Sequence, residues 1–458
     1  MYIIKYYIYY KMTSRYVEIR PDNIPANNKV SFKNGFPVIS FTIQAQQGIL
    51  DPRTIRICGD LKVFKDNLAD PTPILPADTN QVSMDNRLGI FGVMEQVIIR
   101  HNKSKMVCEH IRHYNKMLQS YLGVSSSKCD LLTHLNSSAL CMPNADAFFQ
   151  SVVCNNATGT QKKEFSAHLP TGFMMSGNMV NLMPDAFGGL QIEIHLESDA
   201  NCLFSRVGST TAPSNVADAH YVLENLKLTC EIADIPADQV SSMSQQSGAM
   251  EFNTITSLYT AINSANAQLQ YSLGLSKVQS AFMTFCPSRN INTLTQNGLA
   301  TTYPSNSDNS LVHFNRIQFL RGGVKYPMDF DITTNASISE NAGTLLADSQ
   351  LAKQFVSAII PEKATDRSSV SVVNLNRDYT MDITSADVPK YSEIADGGAL
   401  FGVGVRYSQF NGGQDFKDQQ FGVSLESDLT SDNPQSVFIF VKAKASLVYS
   451  PNGVQLIQ

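Results

Sequence analysis

At 458 residues the chain is too long for one ordinary core, so two domains of about 200 residues are expected. Hydrophobic residues make up 43% and mean hydropathy is −0.12, enough for packed domains and too little for a membrane bundle. Charged residues are only 16%, against roughly 25% in an average soluble domain, and a net charge of −5 excludes polyanion binding by bulk charge.

The first eleven residues, MYIIKYYIYYK, form an apolar run too short to span a bilayer, with no basic leader and no small-residue cleavage site. Translation is expected to start at Met12; the alternative is a sticky arm that docks on a neighbouring subunit. Residues 1–16 are therefore read as an N-terminal extension.

From Val17 the pattern is β. A turn at Asn34-Gly35 precedes a strand at Val38–Ile43, and Thr54–Phe64 alternates through Ile55, Ile57, Leu61 and Val63. A polar loop over Asp66–Arg87 leads to a strand at Phe91–Arg100. Then Val107, Ile111, Tyr114, Leu118 and Tyr121 fall on one stripe of an amphipathic helix, which Gly123 is expected to stop.

The stretch Phe165–Asp199 carries two proline turns, Leu169-Pro170-Thr171-Gly172 and Met183-Pro184-Asp185. Gly188-Gly189 then releases a strand in which Leu190, Ile192, Ile194 and Leu196 alternate with polar residues. A long strand, Tyr221–Ile232, closes the first half at residue 235. Residues 236–250 read as a linker.

The second half, 251–458, opens on an expected helix over Glu251–Gly274, with Ile255, Leu258, Ile262, Leu269 and Leu273 on a stripe. Strands follow at Val278–Phe285 and on either side of a Gly322-Gly323 turn within Val312–Ile332. A short helix is expected to hold Leu351, Phe355 and Ile359 before Pro361. Strands at Leu400–Tyr407, Phe421–Leu425 and Val437–Val448 finish the chain.

The two halves echo each other. Leu196-Glu197-Ser198-Asp199 returns as Leu425-Glu426-Ser427-Asp428, each copy ending one strand and preceding a long closing strand. Phe36-Pro37 with Phe41-Thr42-Ile43 has a counterpart in Tyr326-Pro327 with Phe330-Asp331-Ile332. Gly397-Gly398 offers a rival register to Gly188-Gly189. The expected fold is all-β: two consecutive eight-stranded jelly-roll sandwiches over 17–235 and 251–458, with short helices in the connecting loops.

No P-loop, H-E-x-x-H or G-x-S-x-G pattern is present, and Gly402-Val403-Gly404 lacks the third glycine of a dinucleotide site. Cys108, His110 and His113 are clustered metal-type ligands, but no further ligand adjoins them, and a solvated helix face is expected. Asp329 and Asp331 are read as a solvated edge, not a calcium site. The basic groups Lys103, Lys105, Arg112 and Lys116, and Lys442 with Lys444, are read as solvated faces. Eight cysteines without C-x-x-C spacing are expected to be buried, reduced thiols in an intracellular protein. No catalytic, cofactor-binding or metal-binding residue is assigned, no cofactor is expected, and the chain is not read as an enzyme.

Several segments resemble double jelly-roll major capsid proteins of the Polinton, Polinton-like virus, adintovirus and virophage group. They are the Leu-Pro-Thr-Gly-Phe run at 169–173, Leu182-Met183-Pro184 and Gly188-Gly189-Leu190. Glu109-His110-Ile111-Arg112-His113-Tyr114-Asn115, Gly323–Phe330 and Leu447–Val454 also match in order.

The resemblance implies two jelly rolls side by side and a homotrimer forming a pseudo-hexameric capsomer. Such capsomers would tile an icosahedral shell around double-stranded DNA, in virions assembled inside the host cell. Implied partners are the chain itself, neighbouring capsomers, and penton and minor capsid proteins. Sequence-specific nucleic-acid binding and a transmembrane segment are not implied. Two alternatives have other signatures. A carbohydrate-binding tandem jelly roll wants an aromatic platform, and the chain has no Trp. A cupin-type metalloenzyme wants several His and a Glu on adjoining strands, and only Glu193 and His195 sit together.

Overall fold

Period-2 burial builds the first sandwich. In the computed structural model the described residues are 13–24, 29–64 (except 34 and 36), 82–125 (except 86–87), 139–140, 163–205, 219–299 (except 245 and 295–296), 304, 312–332 (except 329–330), 355, 357–359, 402–407 and 412–458. Its main strands are β1 (Ser14–Ile19), β2 (Val38–Ile43), β3 (Arg56–Phe64), β4 (Met94–His101), β5 (Val107–Ile111), β6 (Lys163–His168), β7 (Leu190–Leu196) and β8 (His220–Ala233). One sheet runs β1-β8-β3-β6, extended by three two-residue strands; the facing sheet runs β2-β7-β4-β5. In β7, Leu190, Ile192, Ile194 and Leu196 point into the core and their neighbours stay half-exposed, as the alternation requires.

The second sandwich repeats this order. Its strands are β9 (Gly248–Ile262), β10 (Asn266–Tyr271), β11 (Val278–Pro287), β12 (Phe314–Arg321), β13 (Val324–Tyr326), β14 (Gly402–Arg406), β15 (Phe421–Ser427) and β16 (Gln435–Ser450). The sheets run β9-β16-β11-β14 and β10-β15-β12-β13. In both halves the first strand pairs antiparallel with the last, β1 with β8 and β9 with β16. That closure is the topology of a jelly roll. A further strand, β17 (Gly453–Ile457), folds back on β16, beyond the last strand expected from the sequence, which ends at Val448.

The echo Leu196–Asp199 and Leu425–Asp428 is structural. β7 and β15 hold the same place in their sheets, each between two strands, and Leu196 and Leu425 are both buried. The second echo fails. β2 corresponds to β10, whereas Tyr326-Pro327 lies at the end of β13. The Gly397-Gly398 alternative lies outside the described residues, as do Met1–Met12, Leu351 and Pro361. Within the expected extension, Ser14–Tyr16 pair with Glu231–Ala233 as part of β1.

Two helix expectations are corrected. Glu251–Gly274 holds two strands, most of β9 and then β10 in the facing sheet, not a helix: β9 matches β16 from Gly248↔Tyr449 to Ile262↔Gln435. Its β-branched and aromatic residues, Thr254, Ile255, Thr256, Tyr259 and Thr260, suit a pleated surface, and the long ladder overrides the apparent stripe. The stripe from Val107 is likewise composite. Val107–Ile111 is strand β5, His113 adopts a left-handed backbone (φ 51°), and helix α1 runs only over Tyr114–Ser125, passing Gly123. A four-residue spacing from Val107 to Ile111 places both residues on one face of either element. Phe355 and residues 357–359 are helical, with Phe355 and Ile359 buried.

Candidate functional site: the seam between the sandwiches

β9 would leave one edge of the second sandwich unpaired, a row of backbone groups that needs a partner. The first sandwich lies against it. Asn178 Nδ2 donates to the Glu251 carbonyl at 2.8 Å, and Ser257 Oγ donates to the Arg112 carbonyl at 2.6 Å. Between them a short helix, α2 (Gly172–Met175), is capped by Thr171, whose Oγ1 accepts from Met174 N at 3.2 Å. Gly172 lies so close to β9 that an added Cβ would stand 1.4 Å from the Asn253 carbonyl oxygen. Phe173 packs edge-on against Phe252 of β9, with ring centroids 5.5 Å apart.

Glu109 of β5 sits at the centre of this contact. Its carboxyl accepts from Gly172 N at 3.1 Å and Phe173 N at 2.8 Å. The hydroxyls of Thr171 and of Thr254, on β9, bond it as well. Burial nonetheless outweighs these donors and pushes Glu109 up to about 7. Beside it, burial pushes Cys108 up to about 12 and Tyr114 well above its usual value, so both stay neutral.

A second clasp lies along α1. Lys116 is buried; its Nζ donates to the Gly298 carbonyl and stands 4.9 Å from the Phe438 ring centroid. The expected solvated face is wrong for this residue, because the ammonium reaches across the seam to the loop after β11. That loop is further held by Asn297 Nδ2 to Asp85 Oδ2 at 2.9 Å, an oxygen that also accepts from Gln119 Nε2 at 2.6 Å. Asn292 N donates to Asn201 Oδ1 at 2.6 Å. Asn115 Nδ2 donates to Glu197 Oε2 at 2.9 Å, fixing the start of α1 to the residue after β7. His113 packs on Phe438 with centroids 5.1 Å apart.

Burial along β16 records the same contact. From Val437 to Val441 every residue is buried, and from Lys442 onward burial alternates. A strand covered on both faces reads as a continuous apolar run. Lys442 and Lys444 are half-buried, not fully solvated, and line a seam cavity of about 420 Å³ with Met117, Phe252, Phe282 and Ile359.

The remaining candidate residues do not converge. His110 Nε2 meets Gln96 Oε1 at 2.9 Å on β5, away from His113 in the turn. Glu193 accepts from Arg100 Nε at 3.1 Å. Asp331 is held below the usual carboxylate range by Gln318 and Lys325; Asp329 lies outside the described residues. Lys103, Lys105 and Arg112 are exposed. Among the described residues no group of three or more His, Cys, Asp and Glu side chains could hold a metal ion, and no helix is long and apolar enough to cross a membrane. The described cysteines are free; Cys108, Cys202, Cys230 and Cys286 are buried, and Cys58 is half-buried. Cys129, Cys141 and Cys154 lie outside them.

Glu109 and Gly172 belong to the two runs that carried the family resemblance, yet nothing in the sequence joined them. They are 63 residues apart, and their meeting depends on a strand, β9, that the periodicity presented as a helix.

No protein-family model and no curated protein matches the sequence. Solved structures do. The chain is similar to the PBCV-1 virus capsid, with a TM-score of 0.55 at 9% identity over 98% of this chain and 97% of the other. It is similar to the Faustovirus major capsid protein, with a TM-score of 0.53 at 10% identity over 96% and 91%. The mavirus major capsid protein matches with a TM-score of 0.51 at 9% identity over 96% and 90%. At such identities the likeness is one of fold, and it takes in both sandwiches. The chain has the double jelly-roll fold of viral major capsid proteins.

Proposed function

We propose that this chain is a structural capsid protein. Three copies would form a pseudo-hexameric capsomer, and such capsomers would tile an icosahedral shell around a double-stranded DNA genome. The single observation that carries this reading is the match to capsid proteins over nearly the whole of both chains, 98% and 97% for the PBCV-1 capsid. The seam supports it. Two sandwiches fixed side by side let a three-fold assembly present six similar blocks. A surface with few charges lowers the desolvation cost of wide contacts between copies. The role is structural, without catalysis, and its partners would be the chain itself, neighbouring capsomers, and penton and minor capsid proteins.

Light scattering on the purified chain tests the oligomer directly. The expected mass is about 150 kDa, three times 50.4 kDa. A monomer at micromolar concentration would contradict the trimer.

A further inference from the structure

Glu109 is fully buried, and none of the groups acting on its carboxyl is a cation. A carboxylate in that position loses its hydration and receives only hydrogen bonds in return. Those bonds come from both sandwiches: two backbone N–H groups of α2 and Thr171 from the first, and Thr254 of β9 from the second. The Thr171 hydroxyl already accepts from Met174 N, so it donates its proton to Glu109. The Thr254 hydroxyl can turn either way. It donates to an ionised Glu109 and accepts from a protonated one, so the cross-seam bond persists in both states while only the ionised state carries the desolvation cost.

We propose that Glu109 is a pH-dependent latch on the seam, holding β5, α2 and β9 together when protonated and loosening them when it releases its proton to water. The groups facing it do not compete. Cys108 on its own strand and Tyr114 on α1 stay neutral, and α2 contributes no ionisable side chain. On the cavity side, Glu251 of β9 with Lys442 and Lys444 of β16 line the space that Thr171 and Gly172 also border.

The sign follows from the raised value. Opening the seam returns Glu109 to the ordinary 4.5, whereas in the closed seam it titrates at about 7. The latch is therefore fully effective below pH 4.5, weakens as pH rises to about 7, and changes no further above that. The opening equilibrium should grow about tenfold per pH unit inside this window.

Hydrogen exchange on the full-length protein between pH 4.5 and 8.5 tests this, corrected for intrinsic exchange. In the wild type, protection of segments 172–175 and 250–256 should fall through the window and level off above it. Segment 421–425 of β15, which pairs only with β10 and β12 of its own sandwich, serves as the internal reference. In Glu109→Gln, whose amide carries no charge at any pH, seam protection should follow the reference. Parallel wild-type curves for seam and reference would overturn the latch, and so would a Glu109→Gln seam that still loosens like the wild type. If that variant does not fold, the wild-type comparison decides alone.

Discussion

At the scale of single residues, the seam depends on side chains that are small, buried or both. Gly172 is needed because the β9 backbone occupies the space a Cβ would take, so Gly172→Ala must push two sandwiches apart. Overpacking of this kind costs about 1–3 kcal/mol, measured as a lower midpoint in urea unfolding. Gly412, which has nothing within 4 Å of an added Cβ, is the matched control, and Gly412→Ala should stay within about 0.5 kcal/mol. Lys116→Met keeps the stem against Phe438 but leaves the Gly298 carbonyl without its donor. It should cost about 1–3 kcal/mol. A Lys116→Met protein as stable as the wild type would show that water replaces the ammonium at no loss. For Glu109 the raised titration, from 4.5 to about 7, corresponds to about 3 kcal/mol. That stability is present below pH 4.5 and lost by about pH 7, opposite to the usual salt-bridged carboxylate.

At the scale of elements, the alternating strands were legible wherever one face met the core and the other met solvent. β2 and β7 have the same limits in sequence pattern and structure; burial in β7 alternates strictly, and in β2 only Ser40 breaks the alternation. β9 was not legible. Its inner face packs on its own sandwich while its edge meets the first one, so its burial is not a clean alternation, and apolar residues fell on a helical stripe by coincidence. The strand-to-helix turn at Arg112-His113 was hidden because the apolar spacing carries across it. β16 was legible as a strand, but the reason Val437–Val441 is buried on both faces appeared only with Lys116 and His113 over Phe438. That double burial sets the expected mutational profile. Phe438→Ala, on the face that Lys116 and His113 cover, should cost about 3–5 kcal/mol. Val448→Thr, at an exposed position of the alternating half, should change stability by less than about 0.5 kcal/mol. Equal losses at the two sites would mean that α1 does not cover β16 in solution.

At the scale of the whole molecule, the two halves repeat one strand order, and the seam fixes them side by side through two clasps, Glu109 with α2 and β9, and α1 with the loop after β11. Chain length and strand patterning suggested two sandwiches, and ordered motifs suggested the family, but neither could say that the motifs meet. A pair of sandwiches held in this way is a building block with two similar lateral faces, which is what a three-fold assembly needs to occupy a six-fold position. That assembly is the central claim, and electron micrographs of the purified full-length chain test it most directly. The account predicts three-fold particles with six lobes of pseudo-hexagonal outline. A field of single two-lobed particles, at concentrations where the chain is folded, would contradict it.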